Sequence, residues 1–263
     1  LNPRLVHVAL SGWGQTGPYR LKAGHDINYM SLAGGLIASG SRAAPSFAFP
    51  PTADYASGIQ AAASALAALV RRARTGKGAF IDTSLAESVL AWQAIGLTAA
   101  LCSAAPPARG ADLLNGGAAC YNIYRTSDGR FVSLGNIEAK FWENFCTALG
   151  RPAWIARQWE PFPQDALIAE VGSLFAAEPL AHWEHLLEAV DNCFEPVREF
   201  AEIASHPQIK ARKLVQRREG PEPLVEVLYP AWVDGAPPGP RAAVRFAEVQ
   251  EVILGWRQPA AAG

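Results

Sequence analysis

Three side chains in this sequence have the chemistry of proton transfer or nucleophilic attack, and each stands close to a predicted helix start. His25 lies in AGHDINY, Asp54 in PPTADYASG and Glu138 in GNIEAKF. An imidazole and a carboxylate can exchange protons with a substrate near neutral pH. Taken singly, each residue is more typical of a structural role, because polar side chains commonly cap helix N-termini and acidic ones are favoured there. The residue types therefore nominate the three positions without assigning a reaction to them.

A second pattern is the segment SGWGQTGP at residues 11–18, in which Gly12, Gly14 and Gly17 have the spacing G-x-G-x-x-G. This spacing cradles a dinucleotide pyrophosphate where it joins a strand directly to a helix. Here Pro18 follows the third glycine, and no helical period of apolar residues follows it. The acidic residue expected at the end of a second strand is also missing. We therefore interpret the segment as a glycine-rich turn after a buried strand.

The elements predicted around these residues alternate between strands and helices. The sequence predicts strands at LVHVAL (5–10) and AFIDTSL (79–85), a short helix in HDINYMSLAGGL (25–36), a long helix over 52–74 and an apolar helix in AESVLAWQAIGLTAALC (86–102). Gly76 and Gly78 are predicted to end the long helix. This alternation is typical of an α/β domain.

The character of the chain changes after a proline- and glycine-bearing linker at 102–117. Asp128-Gly129 lies between two strand-like runs and predicts a hairpin. Helices are then predicted in EAKFWENFCTALG, HWEHLLEAV, VREFAEIA and IKARKL, followed by short strands near 224–233 and a last helix in FAEVQEVILGW (246–256). We expect a large α/β domain formed by residues 1–110, an inserted small α+β domain at 111–221, and a return to the large domain at 222–263.

Composition is that of an ordinary soluble globular protein. The chain has 263 residues, of which 50% are hydrophobic and 18% are charged, with a formal net charge of -1. This balance gives no reason to expect binding to nucleic acid or to an anionic membrane surface. No apolar run has the length of a membrane span and no signal peptide is recognisable, so we expect a cytoplasmic protein. The four cysteines are scattered, with no C-x-x-C pair and no zinc spacing, and so predict free buried thiols in a reducing cytoplasm and no metal site.

Several segments, taken together and in order, resemble the class III CoA-transferase superfamily, also called the CaiB/BaiF type. They are SGWGQTGPYR, AGHDINYMSLAG, the aspartate before the long helix, RTGKGAFIDTSLAES, NGGAACYNIYRTSDGRFVSLGNIEAKFW and EPVREFAEIASHPQIKAR. Within that superfamily, GHDINY and G-x-I-E-x-x-F resemble the α-methylacyl-CoA racemase branch. The resemblance implies a Rossmann-like large domain. A chain that starts LNPRLVHV, already in a strand, predicts that the N-terminal portion of this domain, with much of the CoA nucleotide site, is absent.

The resemblance implies inversion of a 2-methylacyl-CoA thioester, in which the α-proton leaves from one face and a proton returns to the other face of an enolate. His25 and Asp54 match the two bases, and Glu138 matches the acid that hydrogen-bonds the histidine. Backbone N–H groups at the start of the Asp54 helix are the expected oxyanion hole. The segment matching the substrate-lining residues comprises Ala23, Gly24, His25, Asp26, Ile27 and Asn28. The resemblance also implies CoA as part of the substrate, no separate cofactor, and an intertwined homodimer.

Two departures and two alternatives accompany this interpretation. The racemase branch usually has asparagine and glycine where this chain has Pro50 and Ala53, so the tuning of Asp54 and the acyl preference stay open. The alternative enzyme is a class III CoA-transferase in which Asp54 is the nucleophile. His25 and Glu138 favour racemisation, because transfer does not require a histidine there, and LGNIE lacks a glycine-rich GGGGQ-like loop. A third possibility is a truncated, non-catalytic partner or remnant.

Overall fold

The computed structural model describes residues 2–47, 49–102, 108–218 and 224–239, and these form a mixed α/β fold. The strands are β1 (Val6–Ser11), β2 (Ala79–Ser84), β3 (Tyr121–Arg125), β4 (Phe131–Gly135), β5 (Phe194–Pro196), β6 (Val215–Arg218) and β7 (Leu224–Val227). The helices are α1 (Asp26–Leu32), α2 (Thr52–Thr75), α3 (Leu85–Leu90), α4 (Ala94–Cys102), α5 (Ala139–Ala148), α6 (Asp165–Phe175), α7 (Leu180–Leu187), α8 (Phe200–Ile203) and α9 (Pro207–Arg212), with a 3₁₀ helix at Pro152–Arg157.

Residues 2–102, which we call the parallel region, are built on β1 and β2. The two predicted strands pair in parallel from Val6↔Ala79 to Ser11↔Ser84, but the prediction that the first is buried is wrong, since every residue of β1 is partly or largely exposed. Parallel neighbours need a long crossover, and α2 supplies it, packing against β1 and β2. The helix ends at Gly76, whose φ of 70° is readily adopted by glycine and confirms the predicted stop. The core here is small and consists of Tyr29, Met30, Ala33, Ala53, Ala86 and Val89.

The prediction of a single apolar helix over 86–102 is wrong, because this segment forms two separate helices, α3 and α4. At the end of α3 the N–H groups of Trp92 and Gln93 donate to carbonyls three residues back, at 3.0 Å each. These bonds tighten the last turn and end the regular ladder. The side chain of Gln93 also folds back, with Nε2 3.4 Å from the carbonyl of Val89. The short helix predicted within 25–36 was expected to end at Gly34 or Gly35, and it is likewise shorter, since α1 ends at Leu32.

Residues 108–197, which we call the antiparallel region, contain the predicted hairpin. Strands β3 and β4 pair antiparallel on either side of Asp128-Gly129, and β5 adds to β4. Gly129 has a φ of 81°, and the N–H of Thr126 donates to the carbonyl of Arg130 at 2.9 Å. Helices α5, α6 and α7 cover the sheet with a fully buried aromatic and aliphatic core, which includes Trp142, Phe145, Phe175, Leu167 and Val171.

The chain divides into two compact units, residues 1–197 and 198–263. The second unit holds α8, α9 and the antiparallel pair β6–β7. The predicted boundaries at 110/111 and 221/222 do not coincide with this division and stay predictions. The helix predicted over 246–256 and most of the predicted return segment lie outside the described residues. In the described part of the chain, every helix is too short or too polar to cross a bilayer.

Candidate active site

His25 stands immediately before α1, on extended backbone with φ −128° and ψ 177°. Its backbone N–H donates to Oδ1 of Asn28 at 3.0 Å, which fixes the entry of the chain into the helix. The imidazole itself is exposed to solvent. A side chain at this position and open to solvent can meet a substrate, and the role of His25 in proton transfer stays a prediction.

Asp54 lies in the first turn of α2, directly after Ala53, which is completely buried. Its carboxylate is exposed, while the backbone beneath it is anchored in the core. The partial positive charge of a helix N-terminus favours a carboxylate at this position. Asp54 is therefore an exposed carboxylate near the start of α2, the position that the sequence predicted for it, and its catalytic role stays a prediction.

Asp26 joins the two helix starts that carry His25 and Asp54. Its Oδ2 accepts the backbone N–H of Ala53 at 2.6 Å and that of Asp54 at 3.2 Å. The structure thus brings the starts of α1 and α2 together through one carboxylate. Two of the N–H groups expected to form the oxyanion hole at the start of α2 already donate to Asp26, and the oxyanion hole stays a prediction.

Glu138 stands apart from this pair, at the start of α5 in the antiparallel region, with an exposed side chain. Its charge acts on Cys193: burial first, and then the negative charges of Glu138 and Asp191, raise the pKa of that thiol. Among the described residues, no hydrogen bond or ion pair joins Glu138 to His25. Contact with the histidine of a second copy of the chain stays a prediction.

The glycine-rich turn after β1 is followed by irregular chain until α1 begins at Asp26, so it lacks the helix that a nucleotide loop requires. Its glycines serve close packing instead. A Cβ on Gly12 would lie 2.3 Å from the hydroxyl oxygen of Tyr29, and that hydroxyl donates to the carbonyl of Gly24 at 2.6 Å. The indole of Trp13 packs edge-on against Tyr29, with ring centroids 4.7 Å apart.

Two cavities flank Trp13, and sequence reasoning did not identify them. One of about 380 Å³ is lined mainly by apolar side chains, among them Trp13, Pro18, Tyr19, Leu32, Ala33 and Leu90. The other, of about 360 Å³, shares Trp13, Tyr19 and Leu32 and includes Lys22, Ala23, Asn28 and Ser31. Ala23 and Asn28 were predicted to line the substrate, and they line this second cavity. The available signal was the aromatic pair inside a glycine-rich turn.

The remaining predicted substrate residues have other surroundings. The carbonyl of Gly24 accepts the hydroxyl of Tyr29, Asp26 is turned toward α2, and Ile27 is half exposed. Within the described ranges, no group of three or more His, Cys, Asp and Glu side chains is arranged to hold a metal ion.

Curated relatives fall into two activity groups. The chain is 34% identical over 214 residues to the human protein named alpha-methylacyl-CoA racemase, an alignment that covers 80% of this chain and 56% of that protein. It is 27% identical over 228 residues to acetyl-CoA:oxalate CoA-transferase of Acetobacter aceti, covering 84% and 58%. The chain thus spans little more than half the length of these relatives.

The fold is shared with solved structures. A CAIB/BAIF family protein from Brucella suis matches with a TM-score of 0.71 at 24% identity, over 90% of this chain and 63% of that one. The family model described as CoA-transferase family III matches residues 1–244. The length of this match shows that the chain belongs to CoA-transferase family III.

Proposed function

We propose that the protein interconverts the epimers of 2-methylacyl-CoA thioesters by proton transfer through an enolate. The observation that carries the proposal is the pairing of His25 and Asp54 at two helix starts that one carboxylate joins. Both side chains are exposed, one can be a neutral base, and the other can be a carboxylic acid. The relatives at 34% and 32% identity, from human and mouse, are both named alpha-methylacyl-CoA racemase.

The proposed reaction needs one base on each face of the α-carbon. In one direction the imidazole of His25 removes the α-proton, and the electron pair moves into the thioester carbonyl to form the enolate. The carboxylic acid of Asp54 then donates its proton to the opposite face. In the other direction the two groups exchange these tasks. CoA enters only as part of the substrate, and no separate cofactor is proposed.

The proposal includes a homodimer, for which the parallel region supplies support. Large apolar side chains on one face of α2 are exposed, including Ile59 at 68%, Leu66 at 63% and Val70 at 57%. Exposed apolar surface of this extent marks interaction sites. A second copy is also the proposed route by which Glu138 reaches His25, where it would fix the imidazole tautomer. The four cysteines are free thiols, which supports a reducing, cytoplasmic location, although Cys102 and Cys193 are exposed and not buried as predicted.

The second candidate is CoA transfer, favoured by the exposed carboxylate of Asp54 and by relatives named CoA-transferases. In that reaction the carboxylate attacks the thioester carbonyl and the CoA thiolate leaves, which gives a mixed anhydride. The thiolate then attacks the aspartyl carbonyl of the anhydride. The donor carboxylate departs as the free acid, and an aspartyl-CoA thioester forms on the enzyme. An incoming acid repeats the sequence in reverse. No α-proton moves in this route, so exchange with solvent distinguishes the two reactions.

The test is deuterium uptake at the α-carbon of each 2-methylacyl-CoA epimer in D₂O, with CoA transfer to a free acid measured in parallel. In the full-length protein, His25→Ala is expected to remove exchange from one epimer and Asp54→Asn from the other, each by about 10²- to 10⁴-fold. His185→Ala and Asp165→Asn are matched controls, since His185 is exposed on α7 and Asp165 opens α6. Transfer that needs only Asp54, without exchange, would overturn the proposal.

A further inference from the structure

We propose that Asp26 is a positioning residue that holds the two proposed bases at a fixed separation, rather than a residue that contacts the substrate. The inference rests on the proposed function. It departs from the sequence prediction, in which Asp26 belonged to the substrate-lining segment. Its carboxylate is instead engaged by the backbone of another helix.

The bond pattern explains why α2 needs this carboxylate. The N-cap residue of α2 is Pro51, whose side chain accepts no hydrogen bond from the N–H groups of the first turn. The first N–H groups of a helix have no partner within the helix, and an unpartnered buried donor is costly. Ala53 is completely buried, so its N–H is shielded from water. Asp26 therefore supplies, from 27 residues earlier in the chain, the cap that Pro51 lacks.

The same contact links the positions of the two bases. Asp26 follows His25 directly and binds the backbone N–H of Asp54 itself. Hydrogen bonds to an ionised acceptor are roughly twice as strong as neutral ones, and the Ala53 bond, at 2.6 Å, is short. A displacement of about 1 Å in a reacting group can lower a rate by about 10²-fold. One side chain thus sets the gap in which the α-carbon must sit.

The two bases depend on Asp26 to different degrees. The backbone of His25 is held independently of Asp26, since its N–H donates to Oδ1 of Asn28. The start of α2 has only the Asp26 carboxylate as a side-chain acceptor among the described residues. Loss of that carboxylate should therefore displace Asp54 more than His25. This asymmetry separates a positioning role from general loss of folding, which would weaken both bases together.

The experiment compares Asp26→Ala and Asp26→Asn in the full-length protein by α-proton exchange from each epimer. We expect Asp26→Ala to slow the exchange that depends on Asp54 by about 10- to 100-fold and the His25-dependent exchange by no more than a few-fold. Asp26→Asn keeps an acceptor oxygen and should stay within a few-fold of wild type. Equal losses in the Ala and Asn variants would mean that the charge itself acts on substrate and would overturn the proposal, as would equal loss for both epimers.

A second readout does not need activity. Amide hydrogen exchange followed by NMR should show the N–H groups of Ala53 and Asp54 losing protection about fivefold or more in Asp26→Ala. Asp82→Ala is the matched control, because the Asp82 carboxylate likewise accepts a distant backbone N–H, that of Gln15, at 3.1 and 3.2 Å. It should leave Ala53 and Asp54 unchanged.

This readout also separates two kinds of failure. If the wild type shows CoA transfer and no α-proton exchange, the proposed function fails, and the transfer rate of the Asp26 variants then reports the position of Asp54. If protection at Ala53 and Asp54 survives Asp26→Ala, the positioning role itself is wrong.

Discussion

The parallel and antiparallel regions bury their apolar side chains to very different degrees. In the antiparallel region Trp142, Phe145 and Phe175 are completely buried beneath a three-stranded sheet. The parallel region has only a two-stranded sheet, and its longest helix, α2, exposes Ile59 and Leu66. Parallel sheets in proteins are normally covered on both faces. The antiparallel region thus covers its own core, whereas the parallel region leaves large apolar side chains of α2 exposed.

The difference bears on function because His25 and Asp54, both proposed bases, lie in the parallel region. Their supports are the starts of helices α1 and α2. The antiparallel region contributes Glu138 to the candidate residues, at the start of α5. A site whose bases depend on a poorly covered region should be sensitive to whatever covers that region. Under the homodimer proposal, the second copy covers this region and so takes part in the control of the proposed site.

The largest effect is expected in the antiparallel core. Phe175 packs against Tyr124, Phe145, Trp183 and Phe194, with ring centroids 5.0 to 6.4 Å apart. Phe175→Ala should destabilise the fold by about 3 to 5 kcal/mol, because it leaves a cavity among these rings. Denaturant unfolding followed by tryptophan fluorescence measures the change. Phe80→Ala, at an exposed position of β2, should cost less than about 0.5 kcal/mol. A loss at Phe175 no larger than at Phe80 would contradict the contrast between the regions.

The next effect concerns the uncovered face of α2. Ile59, Leu66 and Val70 lie seven and four residues apart and so share one face of the helix. Under the homodimer proposal, Leu66→Asp should weaken dimerisation by about 2 kcal/mol or more, roughly thirty-fold. Analytical ultracentrifugation over a concentration series measures it. Leu186→Asp, at an exposed position of α7, is the control and should leave the association unchanged. A Leu66 variant that associates like wild type would exclude this face as the interface.

A smaller effect tests the turn that supports the parallel region. A Cβ at Gly12 would lie 2.3 to 2.6 Å from the ring of Tyr29, which Gly24 and Trp13 hold in place. Gly12→Ala should therefore destabilise by about 1 to 3 kcal/mol. A Cβ at Gly58, within α2, would meet no other atom within 4 Å, so Gly58→Ala should stabilise by up to about 1 kcal/mol. Thermal unfolding of both variants should show shifts of opposite sign, and shifts of the same sign would contradict the packing at Gly12.

Local signals explain the parts of the fold that the sequence predicted. The hairpin at Asp128-Gly129 depends on two residues and their flanking alternation, and the end of α2 depends on Gly76. The break between α3 and α4 has no such signal. It arises from three-residue backbone bonds and from the side chain of Gln93, which local propensity does not encode.

In the candidate site, too, local sequence patterns predict the positions of residues but not the long-range contacts between them. His25 and Asp54 were found through residue type and resemblance, and both stand at helix starts as expected. The bond from Asp26 to the backbone of Ala53 spans 27 residues, so no local pattern predicts it. It also engages two N–H groups that the resemblance had assigned to an oxyanion hole. Long-range polar contacts are the part of a site that residue types alone leave undetermined.

The smallest expected effect is a loss of folding stability in acid, and it arises in the antiparallel region. The carboxylate of Glu170 accepts two hydrogen bonds from Arg157, at 2.8 and 2.9 Å, and one from the indole of Trp154 at 2.9 Å. These bonds, with the Arg157 guanidinium the larger cause, lower the pKa of Glu170 below its ordinary value of 4.5. A carboxyl group with a lowered pKa in the folded state stabilises the fold above its unfolded pKa. That stability is lost as the pH falls through the folded value.

Glu170→Gln should therefore flatten the fall in unfolding temperature as the pH drops from 6 to below 4.5, since the variant has no proton to gain at this position. The effect should be small and weaker in high salt, because the pair lies at the surface, where solvent screens it. Glu143→Gln, at an exposed position of α5, is the control and should keep the wild-type pH profile. Identical profiles for the Glu170 and Glu143 variants would show that the ion pair contributes nothing to acid stability. A flattened profile for the Glu170 variant alone would show that this surface carboxylate causes part of the loss of stability of the antiparallel region in acid.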